Sequence, residues 1–150
     1  MTGTGAVIID DLHSAPDADF SNFASGLSVT ANMVSDSGVT LTADLSDVDV
    51  LNITHTITGG TVTVDDAATL HAGLSVTVAT GSTLSIKAVD AAGKTITGAG
   101  TVSVTNLEGD DDANLSLVGA TATLSFAGGI AKLSAGDVVS FNYNGTAYSV

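Results

Sequence analysis

The chain contains no cysteine, no tryptophan and no arginine, a single proline, Pro16, and only three lysines, Lys87, Lys94 and Lys132. Without cysteine there are no disulfides, no thiol catalysis and no cysteine-ligated zinc. Against three lysines stand 16 acidic residues, for a net charge of −13. Nucleic-acid binding rests on cationic side chains that neutralise phosphates, so that partner class is excluded, and anionic membrane surfaces are disfavoured for the same reason. No apolar run approaches the ~18 residues of a membrane span, and no basic segment followed by an apolar core opens the sequence. Neither membrane insertion nor an export signal is therefore read from it.

Aromatic residues are also scarce, at 4%, although 44% of the chain is hydrophobic. The core must then be filled by Val, Leu, Ile and Ala, which suits thin layers of strands. Ser and Thr contribute 37 of the 150 residues and Gly another 17. Low charge and many β-branched residues argue against disorder.

From residue 27 onward, apolar and hydroxyl residues alternate with period two, the pattern of strands with one buried face. This predicts strands at 27–30, 39–43, 48–57, 61–64, 74–79, 83–88, 101–105, 113–118, 121–126, 138–143 and 146–150, with almost no helix. Residues 1–26 read differently. They form an arm with one apolar run over 6–9, an acidic stretch around Pro16, and Phe20 and Phe23, with a short helical turn expected to start at Asp17 or Asp19. The expected organisation is this arm followed by one repetitive β domain over 27–150.

The repetition is explicit. "ITGGTVTV", beginning at Ile57, returns as "ITGAGTVSV", beginning at Ile96. At nearly the same interval Thr83-Leu84-Ser85-Ile86 aligns with Thr123-Leu124-Ser125-Phe126, and a weaker copy begins at Gly26-Leu27-Ser28-Val29, which resembles Gly73-Leu74-Ser75-Val76. Self-similarity at such a period points to stacked units, none of which buries its apolar face alone. The expected fold is all-β: a β-solenoid-like stack of ~40-residue repeats, ending in a hairpin over 138–150, with a β-sandwich built by duplication as the alternative. Asn144-Gly145 supplies the hairpin signal.

The chemistry is sparse. His13, His55 and His71 share no ligand spacing and read as isolated surface histidines. Of the acidic clusters, "LEGDDDAN" is a weak calcium candidate through Glu108, Asp110, Asp111 and Asp112. It matches no calcium-loop motif, and a solvated turn is the simpler reading; no other cofactor is expected. A nucleophile elbow is absent, glycine-rich pieces precede strands rather than helices, and six Phe and Tyr are too few for glycosidase platforms. The chain is accordingly read as a non-enzyme. The pairs Thr40/Thr42, Thr61/Thr63, Thr95/Thr97 and Thr121/Thr123 put two threonines on one strand face. Stacked, they would form a hydroxyl ladder of the kind ice-binding solenoids use, a minor alternative that Ser85, Ser103 and Ser125 interrupt. The sequons at Asn52, Asn114 and Asn144 match chance occurrence.

Two resemblances follow from these residues. "ADLSDVDVLNITHTITGGTVTV" and "ITGAGTVSVTNLEGDDDANLSLV" look like the β-strand repeats of bacterial adhesins and S-layer-like proteins. "LSAGDVVSFNYNGTAYSV" resembles the closing strands of bacteriophage tail-fibre and other virion appendage proteins. Running from Met1 to a closing hairpin with no signal, the chain reads as a complete small virion protein. The resemblance implies a capsid decoration protein or short fibre at the virion surface, a homo-oligomer that also contacts other virion proteins. The alternative is an extracellular bacterial surface module, part of an adhesin, S-layer or filament, in one version calcium-dependent, contacting cell-surface proteins. Assembly candidates are Val7, Ile8 and Ile9, Phe20 and Phe23, and Phe141, Tyr143 and Tyr148.

Overall fold

The computed structural model of the protein describes residues 3–107, 114–115, 117–119, 121–126, 140–143 and 146–149. In chain order the strands are β1 (Gly5–Ile9), β2 (Leu27–Val34), β3 (Val39–Leu41), β4 (Asp44–Leu45), β5 (Val50–Thr54), β6 (Thr61–Val64), β7 (Thr69–Leu70) and β8 (Ser75–Val78). After β9 (Thr83–Lys87) comes one helical turn, α1 (Ala88–Ala91), then β10 (Thr95–Gly98), β11 (Thr101–Leu107), β12 (Asn114–Leu115), β13 (Thr121–Phe126), β14 (Ser140–Tyr143) and β15 (Thr146–Ser149).

These strands coil into a β-solenoid of about five turns. Each full turn contributes a strand to one five-stranded sheet (β1-β2-β5-β8-β10) and to a second (β3-β6-β9-β11-β13). A third, shorter side carries β4 and β7. Every pairing in these stacks is parallel and links one turn to the next. Thr61 pairs with Thr83, and Thr83 with Thr101. The sequence repeat, which carries Thr61 onto Thr101, is therefore two turns.

Period-two patterning sends every second side chain inward. One internal column runs Ile9–Ala31–Leu51–Val76–Ile96, and another runs Val39–Val62–Leu84–Val102–Ala122. Leu51, Leu84, Ile96 and Val102 are buried, and aliphatic side chains fill this interior, with no aromatic residue among the described residues that are fully buried. On the third side, Ala88 and Ala91 are buried, and their small side chains let α1 stand where a strand would otherwise lie.

The corner between the two large sheets is glycine-built. A Cβ at Gly60 would fall on the Ser35 carbonyl of the turn before, and one at Gly59 on the Gly81 carbonyl of the turn after. Just inside this corner, Ser35 and Ser82 are buried, their hydroxyls hydrogen-bonded at 2.9 Å, and Ser35 Oγ also donates to the Thr54 carbonyl. This satisfies polar groups that would otherwise be costly inside an aliphatic core.

The apolar run of the arm forms β1, which pairs in parallel with β2, and Leu12, 1% exposed, fills the end of the core. Several sequence expectations are corrected. The helical turn forms at Leu12–Ser14 rather than after Asp17 or Asp19. Asp11, at φ 68, turns the chain there, whereas Asp19 bridges to Asp44 on the third side. Gly26-Leu27-Ser28-Val29 does not align with Gly73-Leu74-Ser75-Val76, because Thr30 is the residue level with Ser75 through Val50. The C-terminal pairing β14–β15 is antiparallel, with Phe141 opposite Tyr148 and Tyr143 opposite Thr146, as a hairpin requires. The turn residues Asn144 and Gly145 lie outside the described residues.

Candidate functional site

The most regular surface feature is the outer face of the β3-β6-β9-β11-β13 sheet. In-register stacking aligns Thr61, Thr83, Thr101 and Thr121 in one column, and Thr40, Thr63, Ser85, Ser103 and Thr123 in the next. All nine positions carry a hydroxyl. Thr40, Thr61, Thr63 and Thr101 are exposed, and Thr83, Ser85 and Ser103 half-exposed, while the residues between them point into the core. Strand geometry spaces the columns about 6.7 Å apart along a strand and successive rungs about 4.8 Å apart. Thr β-branching restricts χ1 and keeps the array stiff.

The other large sheet provides a control within the same molecule. Its two outer columns run Ile8–Thr30–Val50–Ser75–Thr95 and Asn32–Asn52–Thr77–Thr97. Five of these nine positions are hydroxyl, the rest Ile, Val and Asn. Asn52 donates to Asn32 at 2.9 Å, and Asn32 to Asp10 at 2.8 Å, forming a short polar ladder. A general preference for Thr on exposed strands would act on both faces alike, so it does not account for the difference.

The sequence reading of the Thr pairs is thus partly corrected. Thr61/Thr63 and Thr121/Thr123 belong to one array, but Thr95/Thr97 lie on the other sheet. Thr42 leaves the strand, and its hydroxyl donates to the Pro16 carbonyl at 3.3 Å. Ser85 and Ser103 continue the hydroxyl column rather than breaking it, and Ser125 falls beyond both columns.

At one margin of the array a shallow depression of about 200 Å³ is lined by Thr63, Asp65, Asp66, Ser85, Lys87 and Thr105. The Lys87 ammonium pairs with Asp66 there. The depression is smaller than typical small-molecule sites, which start near ~300 Å³.

Among the described residues, several aspartates accept backbone N–H groups. Asp47 accepts the Phe23 N–H at 2.9 Å, Asp49 the Val29 N–H at 2.7 Å, and Asp65 the Ala67 N–H at 3.0 Å. Asp36 accepts the Thr56 N–H at 2.7 Å, the Ile57 N–H at 3.2 Å and the Thr56 hydroxyl. The Thr56 hydroxyl bond is the leading reason that its carboxyl lies below the usual aspartate range. A depressed folded pKa contributes stability above the ordinary aspartate pKa and loses it as pH falls through the folded value. Asp36→Ala should therefore lower the melting temperature at neutral pH, and the gap to wild type should close in strong acid. A gap that persists in acid would show that the carboxylate charge is not what holds this corner.

The histidines are scattered. His13 lies 2.6 Å from Asp11, and His55 Nε2 is 2.7 Å from the Thr80 carbonyl. Among the described residues no group of three His, Cys, Asp or Glu side chains is placed to hold a metal. Glu108, Asp110, Asp111 and Asp112 lie outside the described residues.

Of the assembly candidates, Val7 and Ile9 are half-buried against the core, and so are Phe20 and Phe23, whose rings stack at 6.3 Å. Ile8 is 65% exposed on the outer face of β1. Phe141, Tyr143 and Tyr148 sit on the C-terminal strands. The two-column hydroxyl array escaped sequence reasoning because strand register, rather than residue identity, joins its parts. Compared with protein-family models, curated proteins and solved structures, the chain matches none.

Proposed function

We propose that the protein is a structural component of a virion surface, a capsid decoration protein or short fibre, that assembles with further copies of itself. The carrying observation is β1. It is the end strand of its sheet, and among the described residues no strand pairs with its outer edge. Its sequence, GAVII, carries no charge, and Ile8 stands exposed on it. Unblocked edge strands of this kind template pairing with another chain. The likeness of residues 133–150 to virion appendage proteins supports the same reading. The second reading, an extracellular bacterial surface module, is supported by the resemblance over residues 44–118 and by the broad, regular hydroxyl face.

Copies that each carry a charge of −13 repel one another, and salt screens that repulsion. Sedimentation velocity should show oligomers that strengthen as salt is added. Ile8→Glu should yield a monomer with an unchanged circular dichroism spectrum. A wild-type chain that stays monomeric at every salt concentration would rule out assembly through this edge. Mass spectrometry of purified virions and of cell-surface extracts separates the two locations.

A further inference from the structure

We propose that the outer face of the β3-β6-β9-β11-β13 sheet binds ice, with its two hydroxyl columns fitted to a face of the crystal parallel to the hexagonal axis. This binding is separate from assembly through β1, since it uses a different sheet and a different surface.

Three properties of the face support it. The first is commensurability. Rungs about 4.8 Å apart and columns about 6.7 Å apart make a two-dimensional lattice whose repeats lie near the shorter and longer repeats of hexagonal ice on such a face. A dissolved ligand has no use for a lattice, whereas a crystal surface can be matched only by one.

The second property is charge. The chain bears 16 acidic residues, yet none of the nine array positions is ionisable. Asp65, Asp66 and Lys87 are at the margin, where Lys87 pairs with Asp66. A neutral patch on a strongly acidic protein complements an electrically neutral occupant, and an ice surface is one.

The third is chemistry. Seven of the nine positions are Thr, which offers a hydroxyl able to join the hydrogen-bond network of water and a methyl that water must enclose. In-register parallel strands repeat this pair at nearly every rung, and β-branched side chains hold it with little rotamer freedom. Order at the surface is therefore present before the ice arrives, so little entropy is lost on binding.

Ser85 and Ser103 keep the hydroxyl but lack the methyl, in the middle of one column. The double variant Ser85→Thr/Ser103→Thr completes it and should strengthen ice binding, a gain that a purely structural role for the face does not predict.

The test uses the full chain in slowly growing ice, measuring the fraction of protein taken into the solid and the inhibition of ice recrystallisation. Wild type should enter the ice, whereas a carrier protein is excluded into the liquid. Thr101→Tyr, at an exposed array position, should lose both effects while keeping its melting temperature. Thr77→Tyr, on the opposite sheet, should keep both. Exclusion of the wild-type chain from ice overturns the proposal, as does equal loss in the Thr101 and Thr77 variants. Capture by microcrystalline cellulose without capture by ice also overturns it, and would assign the face to a polysaccharide surface.

Discussion

Gly59→Ala is expected to destabilise the protein by ~3 kcal/mol, a drop of roughly 10 °C in melting temperature for a chain of this length. The added methyl would meet the carbonyl of Gly81 in the next turn, which is backbone and cannot swing away. Relief requires moving two rungs apart at a corner where all their strands are hydrogen-bonded in register. Gly93→Ala is the comparison. Gly93 has φ +73 and nothing within 4 Å of an added Cβ. Its substitution meets only the left-handed backbone penalty, about 1 kcal/mol. Thermal melts followed by circular dichroism should rank the two variants in this order. Because φ at Gly59 is not positive, equal losses would mean that the rungs shift to admit the methyl and that contact between turns does not demand glycine at position 59.

Leu51→Ala should cost ~2–5 kcal/mol in urea denaturation. Leu51 is 1% exposed in the middle of an internal column, with Ala31 on one side and Val76 on the other. The alanine neighbour has no side-chain length with which to refill the space, so the cavity stays open and the loss falls toward the upper part of that range. In a stack whose turns touch only their neighbours, the same deletion weakens the coupling of the turns on both sides. A loss below about 1 kcal/mol would be out of line with a rigid aliphatic interior.

The stacked strands were legible because alternation identifies the inward residues whatever the tertiary partner. Leu84, Ile86, Val102 and Val104 all point into the core as the period-two pattern requires. Exact register was less accessible. The sequence aligns Ile86 with Phe126, but Ile86 lies level with Val104 and, one turn further, Leu124. A slip by an even number of positions preserves which face a side chain occupies, so the pattern alone does not detect it.

The repeated isoleucines are a different case. Ile96 is buried in β10, whereas Ile57 is 83% exposed at a corner, and the residue level with Ile96 two turns earlier is Leu51. What the two copies share structurally is the glycine corner and the strand after it, Thr61-Val62 and Thr101-Val102. The very short strands β4 and β7 were invisible because they hold no more than a single alternation. β11 shows a further limit: Asn106, at φ 55, stands where the register between β11 and β13 shifts, between Val104 and Leu107. This is a bulge that no residue count along a single strand reveals.

Successive turns differ in length, since Thr83 and its partner Thr101 are closer along the chain than Val50 and its partner Ser75, while the strands remain in register. The corners and the third side, where α1 replaces a strand, absorb the difference. Sequence length and lattice geometry are thereby uncoupled: a segment lengthened at an exposed corner such as the one around Ile57 leaves the rungs above and below where they were. Such a scaffold can acquire or lose peptide at its vertices over evolutionary time, or by grafting, without redrawing its flat sides.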